Sequence, residues 1–211
     1  MQADHSSKIN DPNRRQPDIV VHESLPVGVA LAMAGGFLDA YTYLFHGEVF
    51  ASMQSGNVIL LGINLASGEF GQAARYLPPI LLFLIGIIVT NGLQHRFPTG
   101  GRIVWQNVAL FFEALGIFLL GFFAQTLPNV FVDSGLSFFA AIQYASYRRL
   151  AGMPYATTMT TGNLRSMADY LYQRFFKKDA TVDYKIKYIA MIIGGFFFGA
   201  VSSSLLGMFL F

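Results

Sequence analysis

The sequence predicts an all-α integral membrane protein: a helical bundle of five full spans plus two broken, re-entrant helices, six to seven membrane segments in all, built as two related halves. Three observations predict it: an apolar composition, long uncharged runs, and a polar block that occurs twice. Of the 211 residues, 54% are hydrophobic and 12% charged, and the mean hydropathy is +0.47. That is too little charge to cover a soluble globule, so the lipid bilayer is the first expected partner. A formal net charge of +2 argues against nucleic acid as another.

Crossing a hydrocarbon core about 30 Å thick takes roughly 20 apolar helical residues. Pro26 to Phe45, Leu77 to Gln94, Ile103 to Gln125 and Ile186 to Phe211 meet that length with few charges. Ser134 to Leu150 is shorter and less apolar, and is expected as a fifth span packed inside the bundle. Residues 1–24 hold Lys8, Arg14, Arg15, Pro12 and Pro17 with almost no apolar run, so they read as a disordered tail without signal-peptide character. Residues 25–211 then form one transmembrane domain: a first repeat over about 26–95, a linking span over about 103–126, and a second repeat over about 134–211.

The repeat rests on two blocks. Gly36-Phe-Leu-Asp-Ala-Tyr-Thr-Tyr to Ala51-Ser-Met-Gln-Ser-Gly-Asn57 aligns with Ala141-Ile-Gln-Tyr-Ala-Ser-Tyr to Thr157-Thr-Met-Thr-Thr-Gly-Asn163 after a one-residue insertion. Ser52 falls on Thr158, Met53 on Met159, Gly56 on Gly162 and Asn57 on Asn163. The stretches 49–67 and 155–172 carry Gln54, Ser55, Asn57, Thr160, Thr161, Asn163, Arg165 and Asp169. Neither suits a lipid-facing helix, because each unpaired polar group in hydrocarbon costs several kcal/mol.

Cytoplasmic loops carry the excess of Lys and Arg, and that rule separates two topologies. If both polar stretches turn back, the N-terminal tail, Arg96, Arg102, Arg148, Arg149, Arg174, Lys177, Lys178, Lys185 and Lys187 share the cytoplasmic side. Arg75 stays outside with Glu48, Glu69 and Asp133. The halves then run in opposite directions, as in secondary transporters that bind solute near the midplane between broken helices. The expected location is an inner membrane, with the N-terminus cytoplasmic.

Candidate solute-binding residues follow from this arrangement. Ser55-Gly56-Asn57 and Thr161-Gly162-Asn163, with Gln54 and Thr160 before them, stand where half-helices would begin. Ser, Thr and Asn are good N-caps, and a buried helix N-terminus suits an anion or a polar group. The plainer reading is a tight turn capped by its own side chains. Asp39 lies roughly 20 Å along the first span, counting about 1.5 Å per residue. A carboxyl held there can bind and release a proton, or act as structural glue. Glu113 is the second intramembrane carboxylate, a proton carrier or a partner for Arg165. Gln143 adds neutral hydrogen bonding beside the repeat equivalent of Asp39.

Small residues recur at helical spacing: Gly28, Ala32, Gly36 and Ala40 on the first span, Gly195, Gly199, Ser203 and Gly207 on the last. Such stripes are packing faces, and the last is also the face through which a homo-oligomer could form. Zero cysteines exclude disulfides, Cys metal sites and thiol nucleophiles. No hydrolase, Walker-type, metalloprotease or intramembrane-protease motif is present, and His46 beside Glu48 lacks a second nearby His, so neither an enzyme nor a metal or other cofactor is expected.

Gly-Gly-Phe-Leu-Asp-Ala (35–40), Gln-Ser-Gly-Asn (54–57), Arg148-Arg149-Leu150 and Ala-Thr-Thr-Met-Thr-Thr-Gly-Asn-Leu (156–164) resemble the YoaK-like bacterial membrane proteins, catalogued as domain of unknown function 1275. The resemblance covers about residues 25–210 and implies a multi-span inner-membrane protein without an assigned substrate. Tyr144 departs from it, where Asn would follow Gln143. The function expected is transport of a small polar or anionic solute, with protons as a coupling ion. A channel, and a non-transporting scaffold or sensor working through its basic loop, are the alternatives.

Overall fold

The computed structural model describes residues 23–97 and 105–210. The helices are α1 (Leu25–Phe45), α2 (Gln54–Ala66), a short α3 (Phe70–Ala74), α4 (Leu77–Arg96), α5 (Trp105–Phe123), α6 (Asn129–Ser146), α7 (Thr160–Phe176) and α8 (Asp183–Leu210). Two-residue strands β1 (Arg149–Leu150) and β2 (Met153–Pro154) form a hairpin after α6, and a 3-10 turn over Ala180–Val182 leads into α8. Among the described residues, four helical stretches are long and apolar enough to cross a membrane: Leu25–Phe45, Phe70–Arg96, Trp105–Phe123 and Ala180–Met208. They show the solvent they need, since Phe111, Phe112, Phe118 and Phe122 stand outward on α5, where water would not tolerate them together. The expected tail lies almost wholly outside the described residues, as does Arg102.

Two helix pairs build the core. α1 packs along α8, and α4 along α6, with α5 on the other flank of α6. Both pairs meet through glycine. A Cβ on Gly36 would fall inside the backbone of Phe196, and one on Gly199 inside the carbonyl of Met33. On the other pair, a Cβ on Gly86 would lie 2.6 Å from the Phe138 carbonyl and 2.8 Å from Ala141 Cβ. Met33 and Phe138, and Gly36 and Ala141, are equivalents in the sequence repeat, so the two pairs use matching contacts. The stripe expected as a face for a second copy also packs within the chain. Gly195 lies against Val29, Gly199 against Met33 and Gly207 against Phe45, and Ser203 is 1% exposed. α1 covers that face within the chain.

These contacts set directions. α8 runs alongside α1 in the same sense, from Gly28 beside Ile192 to Phe45 beside Gly207. α6 runs against α1: Gln143 reaches Leu31, and Leu38 shares a core cluster with Leu136 and Val132. α6 begins five residues earlier than the fifth span expected from sequence. Pro128 is its N-cap, and Asp133, expected in an outer loop, lies inside it and is 2% exposed. Hydrophobicity alone does not find this start because Asn129 and Asp133 look like loop.

Each polar stretch divides into an extended strip followed by a helix. The first strip leaves the C-terminal end of α1 at Gly47, where a Cβ would be 3.5 Å from Arg75 Nη1 and 3.9 Å from Asn129 Nδ2. Residues 47 and 75, before and after α2, thus sit at one end of the bundle. The second strip leaves from the hairpin. There Leu150, Met153 and Tyr155 share a cluster with Ile189 and Ile192 of α8, and Gly152 and Ala151 donate to Glu23 beside the start of α1. That is the opposite end.

Candidate functional site

The two strips meet on one face of α1. At position 39 the carboxylate accepts from Ser52 N–H (2.6 Å) and Met53 N–H (3.3 Å) through Oδ1, and from the Ser52 hydroxyl (2.7 Å) through Oδ2. One turn back, Gly35 makes room for the second strip: a Cβ there would be 3.0 Å from the Thr157 carbonyl and 3.2 Å from Thr158 Cγ2. Another turn back, the Leu31 carbonyl accepts from Gln143 Nε2 at 3.0 Å. Residues 31, 35 and 39 share a helix face at spacing four, so α1 presents a ladder of polar contacts drawn from both halves. The strips touch each other where Ser52 Oγ lies 3.4 Å from the Thr158 carbonyl.

The Gly-Asn pairs do something sequence reasoning missed. The helix N-caps are Met53 and Met159, without side-chain capping bonds, so the expected Ser, Thr and Asn caps are not used. Instead each Asn reaches back seven residues. Asn57 accepts from Phe50 N–H (2.9 Å) and donates to Phe50 C=O (2.7 Å), while Asn163 accepts from Ala156 N–H (3.1 Å) and donates to Ala156 C=O (2.7 Å). An amide side chain satisfies both backbone groups of one residue, as a neighbouring strand would. Both Asn side chains are buried and their amides committed to holding the strips. Replacing either Asn with Ala strands a half-buried N–H and C=O, so each is expected to cost about 2 kcal/mol, read as a lower unfolding midpoint in detergent. Near-equal losses at 57 and 163 are the specific expectation.

The other candidates are distributed as follows. Gln54 donates to Ala51 C=O and accepts from Asn57 Nδ2. Ser55, Thr161 and Gly162 are exposed, Gly56 is approached by the Phe50 ring, and Thr160 Oγ1 is buried without a partner. Gln143 is fully buried with Oε1 unpaired, as are the hydroxyls of Thr157 and Thr158. Arg165 is exposed on α7 and does not pair with Glu113: among the described residues the ion pair is Arg174 with Asp183, at 2.6 Å. Glu113 is 3% exposed in the middle of α5, its Oε2 has no hydrogen-bond partner, and Tyr147 lies within its electrostatic reach. The separation arises because α7 packs on α8, away from α5. Ser52, Thr157 and Thr158 were findable, since they are hydroxyls inside the repeated block.

Outside the spans, burial pushes the His46 imidazole below its ordinary range, opposed by a hydrogen bond with the Asn129 side chain. Its fold is therefore satisfied by the neutral ring, and acid works against it. Asp179 is held below the usual carboxylate range by the Thr181 hydroxyl and N–H, which it caps at the turn before α8. No cluster of three or more metal-ligating side chains occurs among the described residues.

Long apolar helices, an outward aromatic belt and polar strips buried between them define an integral membrane helical bundle. Comparison gives its family: residues 27–210 match the pattern of the proteins described as protein of unknown function, DUF1275, and the chain belongs to that family. It is similar to the UPF0700 transmembrane protein YoaK of Bacillus subtilis (strain 168), 26% identical over 155 residues that cover 70% of this chain and 68% of that protein. No solved structure matches it.

Proposed function

We propose that the chain is a proton-linked transporter of a small polar or anionic solute, and that its two halves form an inverted repeat whose polar strips re-enter from opposite faces. The antiparallel course of α1 and α6, repeat equivalents, supports the inversion. α6 then serves as a fifth, internal span. Arg96, Arg148 and Arg149 lie at the end of the bundle that holds the start of α1 and Arg75 at the other, which supports a cytoplasmic N-terminus in an inner membrane.

One observation carries the mechanism: the Ser52 hydroxyl stands between Asp39 Oδ2 at 2.7 Å and the Thr158 carbonyl at 3.4 Å. A hydroxyl has one hydrogen to give. With Asp39 ionised, Ser52 donates to it and the strips are uncoupled. With Asp39 protonated, the carboxyl donates to Ser52 Oγ, and the Ser52 hydrogen turns to Thr158. Proton binding thus latches one half to the other, next to the unpaired hydroxyls of Thr157 and Thr158 and on the same face of α1 as the unpaired oxygen of Gln143, which supply acceptors and hydroxyls for a solute.

Asp39→Asn keeps an acceptor for the Ser52 and Met53 amides and puts a permanent donor against Ser52 Oγ, so it mimics the latched form. In proteoliposomes reporting internal pH, challenged with amino acids, dicarboxylates, sugars and organic phosphates, the parent is expected to move protons with at least one class, saturably. Asp39→Asn is expected to fold and to lose that movement at least tenfold. Undiminished proton movement in the variant would end the latch, and flux that never saturates would make the protein a channel.

A further inference from the structure

At the end of the bundle where α1 begins, a cavity of about 410 Å3 opens between the C-terminal ends of α4 and α6 and the start of α5. Its volume is in the range of small-molecule sites. Gln94, Trp105, Gln106, Ser146, Arg148 and Arg149 line it. Three of these are buried yet unsatisfied: Trp105 Nε1, Gln106 Oε1 and Ser146 Oγ have no hydrogen-bond partner, and the residues are 3%, 8% and 7% exposed. Native proteins rarely leave buried polar atoms alone without a ligand or water to meet them. The indole nitrogen is only ever a donor, so what it lacks is an acceptor. Arg148 and Arg149 supply two positive charges beside it, and neither forms an ion pair among the described residues.

We infer that this cavity is a binding site for a small phosphate-bearing group that also carries a hydroxyl or ammonium. The guanidinium groups take the phosphate oxygens, for which their planar forks are suited, and the indole N–H and Gln94 amide add neutral donors. Glu23, also in the lining, faces the opposite need. Its Oε2 accepts from Gly152 N–H at 3.2 Å, which fixes the carboxylate at the hairpin and leaves acceptor capacity for a ligand hydroxyl or ammonium. The same chemistry is offered by a soluble phosphate ester and by a phospholipid headgroup. None of these residues belongs to the α1 crossing, so the site is independent of the transport reading: a chain that moves nothing would still bind.

Trp105 is the chain's single tryptophan, so its emission reports on the cavity directly. In dodecyl maltoside micelles free of phospholipid, titration of the full chain with glycerol 3-phosphate is expected to change that emission saturably, and glycerol is expected to leave it unchanged. Arg148→Gln with Arg149→Gln is expected to weaken binding at least tenfold, with the helical circular dichroism retained. Gln94→Leu, an exposed position on α4, provides a second variant, expected to weaken it at least threefold. Glu23→Gln is expected to weaken glycerol 3-phosphate more than inorganic phosphate. In phosphatidylglycerol nanodiscs, emission already shifted and no longer responsive to glycerol 3-phosphate identifies a lipid headgroup as the occupant; an undiminished response identifies a soluble ester. The inference is overturned if the emission stays unresponsive in the phospholipid-free micelles, or if both the double arginine variant and Gln94→Leu titrate like the parent.

Discussion

Gly199→Leu is expected to yield no monodisperse protein at all, whereas Gly194→Leu, on the same helix, is expected to be extracted and to run as the parent does. A side chain at 199 has no space to enter, because even its first carbon falls inside the Met33 carbonyl, and that obstacle is backbone. A flexible neighbour could yield; a helix carbonyl moves only if the helix moves. Overpacking against mobile side chains costs typically about 1–3 kcal/mol, and here α1 would have to separate from α8 along their shared length, forfeiting close-range packing that lipid does not replace. At 194, by contrast, nothing lies within 4 Å of a Cβ. Fluorescence-detected size exclusion of tagged protein reads both outcomes. A well-behaved Gly199→Leu would mean that α1 and α8 do not approach as closely as the structure has them.

The second large effect is at position 39, and it depends on which atoms the replacement keeps. Asp39→Ala is expected to lower stability by about 3–5 kcal/mol, because it leaves the Ser52 amide and hydroxyl buried without the carboxylate that now accepts from both. Hydrogen bonds to a carboxylate are the stronger kind; the Ser52 hydroxyl keeps only its longer contact with the Thr158 carbonyl, and the Ser52 and Met53 amides lose the carboxylate oxygen that accepts from them. Asp39→Asn preserves the shape and an acceptor, so its loss is expected to stay near 1 kcal/mol. Unfolding midpoints of the pair in detergent check this. Equal losses for Ala and Asn would show that the carboxylate contributes nothing to holding the first strip, and the latch would lose its anchor as well.

The long helices were legible because hydrocarbon imposes a length and a composition that few other settings demand. α1, α4 and α8 begin or end within a few residues of the apolar runs that announce them. α6 was harder, since a helix shielded by its neighbours is free to carry Asp133, Ser134, Ser137, Gln143 and Ser146, all buried, and so looks less like a span. Asp39 stood out because an ionisable residue inside an apolar run is rare. The task of Asn57 and Asn163 did not, because their partners are backbone groups of Phe50 and Ala156, which any residue would supply. The Arg148 cavity was beyond sequence reasoning for a different reason: its lining comes from residues 23, 94, 105, 106, 145, 146, 148 and 149, and only the folded chain brings them to one place.

The pairing of α1 with α8 also has a consequence for biosynthesis. α1 leaves the ribosome well before its main partner α8, so some 137 residues, 46–182, must be threaded and parked before that seam can close. Until then α1 sits in the bilayer with the glycine face that will meet α8 open. Such long-range closure is slow, and nascent intermediates of this sort depend on the insertion machinery to shield them.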